Sequence, residues 1–135
     1  MALGINVTTR NAMLDAITSR AGASALLQIY DGSRPATGGT VTTKLAQLTC
    51  NASAFAAAAS SGVLTINAIS SDLSADATGT ATWFRIYASN GTTHVLDGSV
   101  STIAAGTGDM QLDSTSIVLG GTVAISTATV TAGNS

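Results

Sequence analysis

The sequence predicts a mainly β protein, a single β-sandwich or barrel-like (jelly-roll-like) domain of about seven or eight antiparallel strands behind a short N-terminal amphipathic helix. Three observations predict it. From Ala25 onward, runs of β-branched residues recur about every ten residues, parted by Gly, Asn and Asp. Helical periodicity is confined to one stretch near the start. The length, 135 residues, suits one hydrophobic core. The expected organisation is therefore one domain over 1–135, with an arm and helix in 1–24 and the β-domain in 25–135.

The helix is expected over Thr9–Arg20. Ala12, Met13, Ala16 and Ile17 share a face there at three-to-four spacing, away from Arg10, Asn11 and Asp15. Thr8 or Thr9 is the expected N-cap, and Gly22 the left-handed residue that ends the helix. The first strand is Leu26–Tyr30, closed by the turn-rich Asp31–Gly39 with the only proline, Pro35. Strands over Val41–Cys50 and Val63–Ile69 follow, the second with Leu64, Ile66 and Ala68 opposite Val63, Thr65 and Asn67. Between them, Ala52–Ala59 reads equally as one helical turn or an irregular crossover. Ala81–Gly98 predicts a hairpin around Asn90-Gly91, expected as a type I′ turn because both residues tolerate positive φ. A Gly-rich bend at Ala104–Gly108 leads into Met110-Gln111-Leu112. Ile117-Val118-Leu119 and Thr122–Thr131 are then expected to pair across Gly120-Gly121.

Composition narrows function. Only 9% of the residues are charged, against roughly 25% in ordinary domains. All seven carboxylates are aspartates. Five scattered basic residues and a pI near 4.8 disfavour nucleic-acid binding. Membrane insertion is disfavoured too, since no apolar run nears the roughly 20 residues a spanning helix needs. Cys50 is alone, so no intrachain disulfide is expected. Met1–Asn6 lacks a basic and a long apolar region, so no secretory signal is expected and synthesis in a cytosol is.

Catalytic chemistry is thinly supplied. His94 is the only histidine, and although Asp97 and many serines lie nearby in sequence, no Gly-x-Ser-x-Gly elbow presents one of them. His94 reads as a surface or edge residue. Asp72/Asp76 and Asp109/Asp113 read as loop aspartates in Asx turns, with calcium binding a minor alternative. Cys50 reads as a buried apolar thiol. No catalytic residue, metal ligand or cofactor is expected. Trp83 and Phe84, adjacent on a strand, face opposite sides, one in the core and the other a candidate for a subunit contact.

Ile29–Gly39 and Ser74–Arg85, with Asn11–Asp15 and Leu112–Val118, resemble a family of small proteins encoded among the structural genes of tailed bacteriophages and prophages. The resemblance implies a virion component and brings no catalytic residues. The expectation is a capsid decoration or cement protein, made in the bacterial host cytoplasm. It would bind the outer head shell as a symmetric homo-oligomer, a trimer being expected, with the major capsid protein as partner. Ile5 and Val7, in an apolar segment over 1–9 able to pair with a strand edge, are the expected contact residues, together with Trp83 and Tyr87. The alternatives are a tail or neck protein, and a carbohydrate-binding fibre module stacking sugars on Trp83 or Tyr87.

Overall fold

The computed structural model describes residues 4–55 and 61–131. The described chain holds one helix and nine strands: α1 (Val7–Ala21), β1 (Leu26–Tyr30), β2 (Lys44–Thr49), β3 (Val63–Thr65), β4 (Gly79–Thr80), β5 (Trp83–Tyr87), β6 (His94–Thr102), β7 (Met110–Leu112), β8 (Ser116–Ile117) and β9 (Ile125–Thr131). The chain is mainly β. Seven strands form one mixed sheet in the order β2-β1-β5-β6-β7-β9-β3, and β4 and β8 form a separate two-stranded sheet.

The mainly β class is as expected, and the pairing departs from the expected all-antiparallel strands at one place: β6 and β7 run parallel, with Val100 opposite Met110 and Thr102 opposite Leu112. Parallel neighbours usually need a crossover of a dozen or more residues. Here residues 103–109 turn the chain back at once. Gly106 N–H donates to Thr102 O (3.0 Å), and Gly108 lies so close to β6 that a Cβ would stand 2.5 Å from Ser101 N. The expected closing pair is corrected as well. β8 pairs with β4, while β9 lies between β7 and β3.

Alternation along the strands builds the core. Leu27 and Ile29 face Leu48 and Ala46 on one side and Ile86 and Phe84 on the other, and all six are buried. Gly98, opposite Phe84, leaves room for its ring: a Cβ there would come within 2.5 Å of it. Leu64, Met110, Leu112 and Phe55 join the same cluster, as does Cys50, whose thiol burial pushes up to about 11. Of the ambiguous Ala52–Ala59 stretch, Ala54 and Phe55 are buried, and Phe55 forms an antiparallel bridge to Ile66; residues 56–59 lie outside the described residues.

The helix begins earlier and turns a different face inward than its periodicity predicts. Asn6 is the N-cap, its side-chain oxygen accepting from Thr8 N–H (2.8 Å), in place of Thr8 or Thr9. Gly22 ends it with φ 65°, its N–H donating to Thr18 O. The inward side carries Leu14 and Ala21, with Ile17 packed beside them, while Ala12, Met13 and Ala16 are exposed. The helix is apolar on two sides, so its pattern alone cannot say which side meets the sheet. Asn11 helps fix the choice by accepting from Gly62 N–H (2.9 Å) just before β3.

The outer edge of β2 is covered by the chain itself. Along β2, Leu45 O accepts from Asp76 N–H, Gln47 N–H donates to Asp72 Oδ2, and Cys50 bridges to Ile69. Beyond β3, Ile66 bridges to Phe55 and Asn67 N–H donates to Ala54 O. The cover along β2 removes unpaired backbone that invites strand addition at that edge.

Candidate functional site

Across the sheet face turned away from this core, one polar row runs in register through four strands: Gln47 on β2, Gln28 on β1, Arg85 on β5 and Asp97 on β6. Gln28 donates from Nε2 to Gln47 Oε1 (2.8 Å) and accepts from the Tyr30 hydroxyl. Arg85 and Asp97 form a two-pronged ion pair, Nε to Oδ1 at 2.6 Å and Nη2 to Oδ2 at 2.9 Å, with side chains only 4% and 3% exposed. The guanidinium lies 5.3 Å from the Trp83 ring centroid and 5.9 Å from that of Tyr87.

A β-bulge brings the pair together. Next to the turn, Tyr87 faces His94; one step on, Ile86 faces Leu96, so Val95 is the extra residue. Without the bulge, with Val95 opposite Ile86, Arg85 would face Leu96, and every β6 side chain beyond it would swap faces. The hairpin turn also differs from the expected type I′. Gly91 alone is left-handed (φ 71°), its N–H donating to Ala88 O, while Asn90 Oδ1 accepts from Thr92 and Thr93 N–H. The Asn90 side chain supplies backbone partners, so the turn has no need of positive φ at that residue.

The loop Asp31–Thr43 straps over the row. Its ends are tied by Asp31 N–H to Thr43 O and Thr43 N–H to Asp31 Oδ1, both 3.2 Å. Gly39 O accepts from Arg85 Nη1 (2.9 Å), and Gly38 N–H donates to Asp97 Oδ2 (3.1 Å). Trp83 Nε1 donates to Asp31 O and to Thr42 Oγ1. Gly38 has φ 77° and Gly32 φ 72°, conformations that bend the strap where side chains would be strained.

The electrostatics are those of a clasp. Burial alone would push Asp97 up, but the hydrogen bonds from Arg85, Gly38 N–H and His94, with the Arg85 charge, hold its carboxyl below the usual range. Arg85 is held above its ordinary value, chiefly by the bond to Asp97. Tyr30 is pushed up to about 12 by burial and by Tyr87. His94 Nε2 lies 3.1 Å from Asp97 Oδ1, a histidine–carboxylate contact. Both carboxylate oxygens are already taken by Arg85, and Gly38 adds a bond to Oδ2. A carboxylate saturated in this way pins its neighbours rather than accepting a proton.

The sequence-selected residues are distributed as follows. Trp83 is 1% exposed and stacks on Tyr30 at 4.3 Å, beneath the strap, so its ring is covered by the chain itself. Phe84 is in the core, and Tyr87 is half-buried beside Arg85. Ile5 is half-buried and its carbonyl accepts from Arg10 Nε. Val7, 41% exposed, is already the first helical residue, which corrects the extended arm expected through Thr9. Asp72 accepts from Ser74 N–H in an Asx turn, Asp76 pairs with exposed Lys44 at 3.1 Å, Asp109 accepts from the Ser99 N–H and hydroxyl, and Asp113 from the Ser126 hydroxyl. No cluster of three or more metal-ligating side chains occurs among the described residues, and no helix there is long and apolar enough to cross a membrane.

Sequence reasoning missed the Arg85–Asp97 pair and the surface at the far end of the chain. Loops 72–78 and 118–123 are tied by Ala75 N–H to Gly121 O (2.8 Å), Gly120 N–H to Ala75 O (2.9 Å) and Leu119 N–H to the Thr78 hydroxyl (2.9 Å). They expose Leu73 (76%), Val118 (61%) and Leu119 (65%) beside a hollow of about 320 Å³ lined by Asp113, Ile117 and Val123 among others. A signal existed in Ile117-Val118-Leu119, where consecutive apolar residues leave one side chain outward on any strand. Comparison with known protein families, curated proteins and solved structures finds no match to this chain.

Proposed function

We propose that the chain is a non-enzymatic virion structural protein of the tailed-phage kind, a capsid decoration or cement protein that binds the outer head shell as a symmetric oligomer. The observation that carries this reading is the exposed apolar trio Leu73, Val118 and Leu119, held on hydrogen-bonded loops. Exposed apolar side chains grouped on a fixed scaffold favour protein contact over small-molecule chemistry. The polar centre supports the same reading, since its charges are spent on holding the strap. Low surface charge suits the packing of many copies side by side, where like charges would repel.

Mass spectrometry of purified particles from the phage or prophage that encodes this chain tests the proposal. The expected result is a copy number comparable to that of the major capsid protein. A few copies per particle would instead indicate the tail or neck, and absence from particles would overturn a virion role.

A further inference from the structure

The helix carries an outward apolar stripe that the fold leaves uncovered. Thr9, Ala12, Met13, Ala16 and Arg20 recur at three-to-four spacing and are all exposed, Met13 by 52%. The Leu73, Val118 and Leu119 loops are another uncovered apolar group and hold the three most exposed large hydrophobic side chains among the described residues. We propose that copies of this chain associate head to tail, the outer face of α1 of one copy seating on the Leu73/Val118/Leu119 loops of the next. The inference deepens the assembly reading above, naming a second copy as the occupant of that surface.

Charge complements across unlike faces. The stripe ends in exposed Arg20, a cation near the helix C-terminus whose Nε donates to His94 O (2.9 Å), and the hollow beside Val118 is lined by exposed Asp113. Joining helix to loops lets the remaining N–H groups of Arg20 approach Asp113. Shape agrees. Met13 is the one large, adaptable side chain of the stripe, flanked by two alanines that permit close approach, and the hollow provides an apolar seat in Ile117, Val118 and Val123. Strand addition is the competing mode for a β protein, and the chain's own cover over β2 opposes it at that edge. A contact between unlike faces closes into a ring when its rotation allows, which gives the cyclic symmetry a shell subunit needs.

The test uses two full-length variants, Met13→Asp and Leu119→Asp, each at an exposed position, with circular dichroism confirming the fold. By sedimentation velocity the wild type is expected to oligomerise and each variant to be monomeric. An equimolar mixture of the variants is expected to form a one-to-one dimer, because the intact loops of one accept the intact helix of the other. A mixture that stays monomeric, a wild type that is monomeric at its highest soluble concentration, or an oligomer that survives either substitution overturns the proposal. Charge exchange is the second readout: Asp113→Arg should weaken association at least tenfold and the double variant Arg20→Asp/Asp113→Arg restore it, and failure of that restoration counts against the head-to-tail geometry. These solution outcomes are independent of particle stoichiometry, so this inference and the virion reading can fail separately.

Discussion

Truncating Asp97 to alanine leaves the Arg85 guanidinium under the strap without its carboxylate, and Gly38 N–H without its acceptor. A buried ion that loses its partner costs about 3–5 kcal/mol, to be read as a lower urea midpoint. The double variant Arg85→Met/Asp97→Leu removes both charges and should recover most of that loss. The same pair sets an acid limit. Because the Asp97 carboxyl is held below its ordinary value, the unfolded chain binds that proton first, so the contribution is present above about pH 4 and is lost as pH falls further. The stability gap between wild type and Asp97→Asn should therefore narrow on acidification below that point. Cys50 acts at the other end of the scale. With its thiol pushed up to about 11, the native state keeps a proton that the unfolded chain releases, and stability should fall between about pH 9 and 11. A Cys50→Ala variant should lack that part of the alkaline slope, and native Cys50 should react with an aqueous thiol reagent only after unfolding.

At the scale of elements, whatever depended on neighbours in sequence was legible. Leu26–Tyr30 and the hairpin arms of β5 and β6 could be read because their alternation and turn residues are local. The turn was misread because Asn90 satisfies backbone groups with its side chain, and the Val95 bulge then shifted the register in a way no local pattern announces. Arg85 and Asp97 both stood in the predicted hairpin, yet only that shift makes them opposite. The helix misled for another reason: Met13 and Ala16 are as apolar as the residues it buries. The least local pairing, parallel β6 and β7, depends on Gly108. Gly108→Ala would drive a methyl to 2.5 Å from Ser101 N and 2.8 Å from Met110 O, both backbone atoms that cannot swing aside. The expected cost is about 1–3 kcal/mol in thermal or urea unfolding. Gly4→Ala, where a Cβ meets nothing within 4 Å, is the neutral comparison.

For the whole molecule, the mainly β class followed from composition and punctuation, while the order of strands did not, because β9 inserts between β7 and β3 rather than beside Ile117-Val118-Leu119 as expected. The apolar surface was equally hidden, since exposure of Leu73 and Leu119 is decided by which loops meet, not by their local sequence. If copies stabilise one another through that surface, mass action requires the melting temperature to rise with protein concentration. Calorimetry across a hundredfold dilution series should show a downward shift on dilution, and the Met13→Asp variant should show none.

The position of β9 also constrains how the chain acquires its structure. Val63 pairs with Thr131 and Thr65 with Thr129, so β3 waits for a ladder partner more than sixty residues downstream. During synthesis β1, β2, β5 and β6 can assemble as a four-stranded antiparallel sheet, but β3 and one side of β7 stay unpaired until the last described strand has left the ribosome. Contacts of such sequence separation slow folding, and the apolar Val63 and Leu64 are exposed to misassociation in the interval. A chain cut before Ile125 should remain in that unfinished state, with the sheet open at β7 and prone to aggregate.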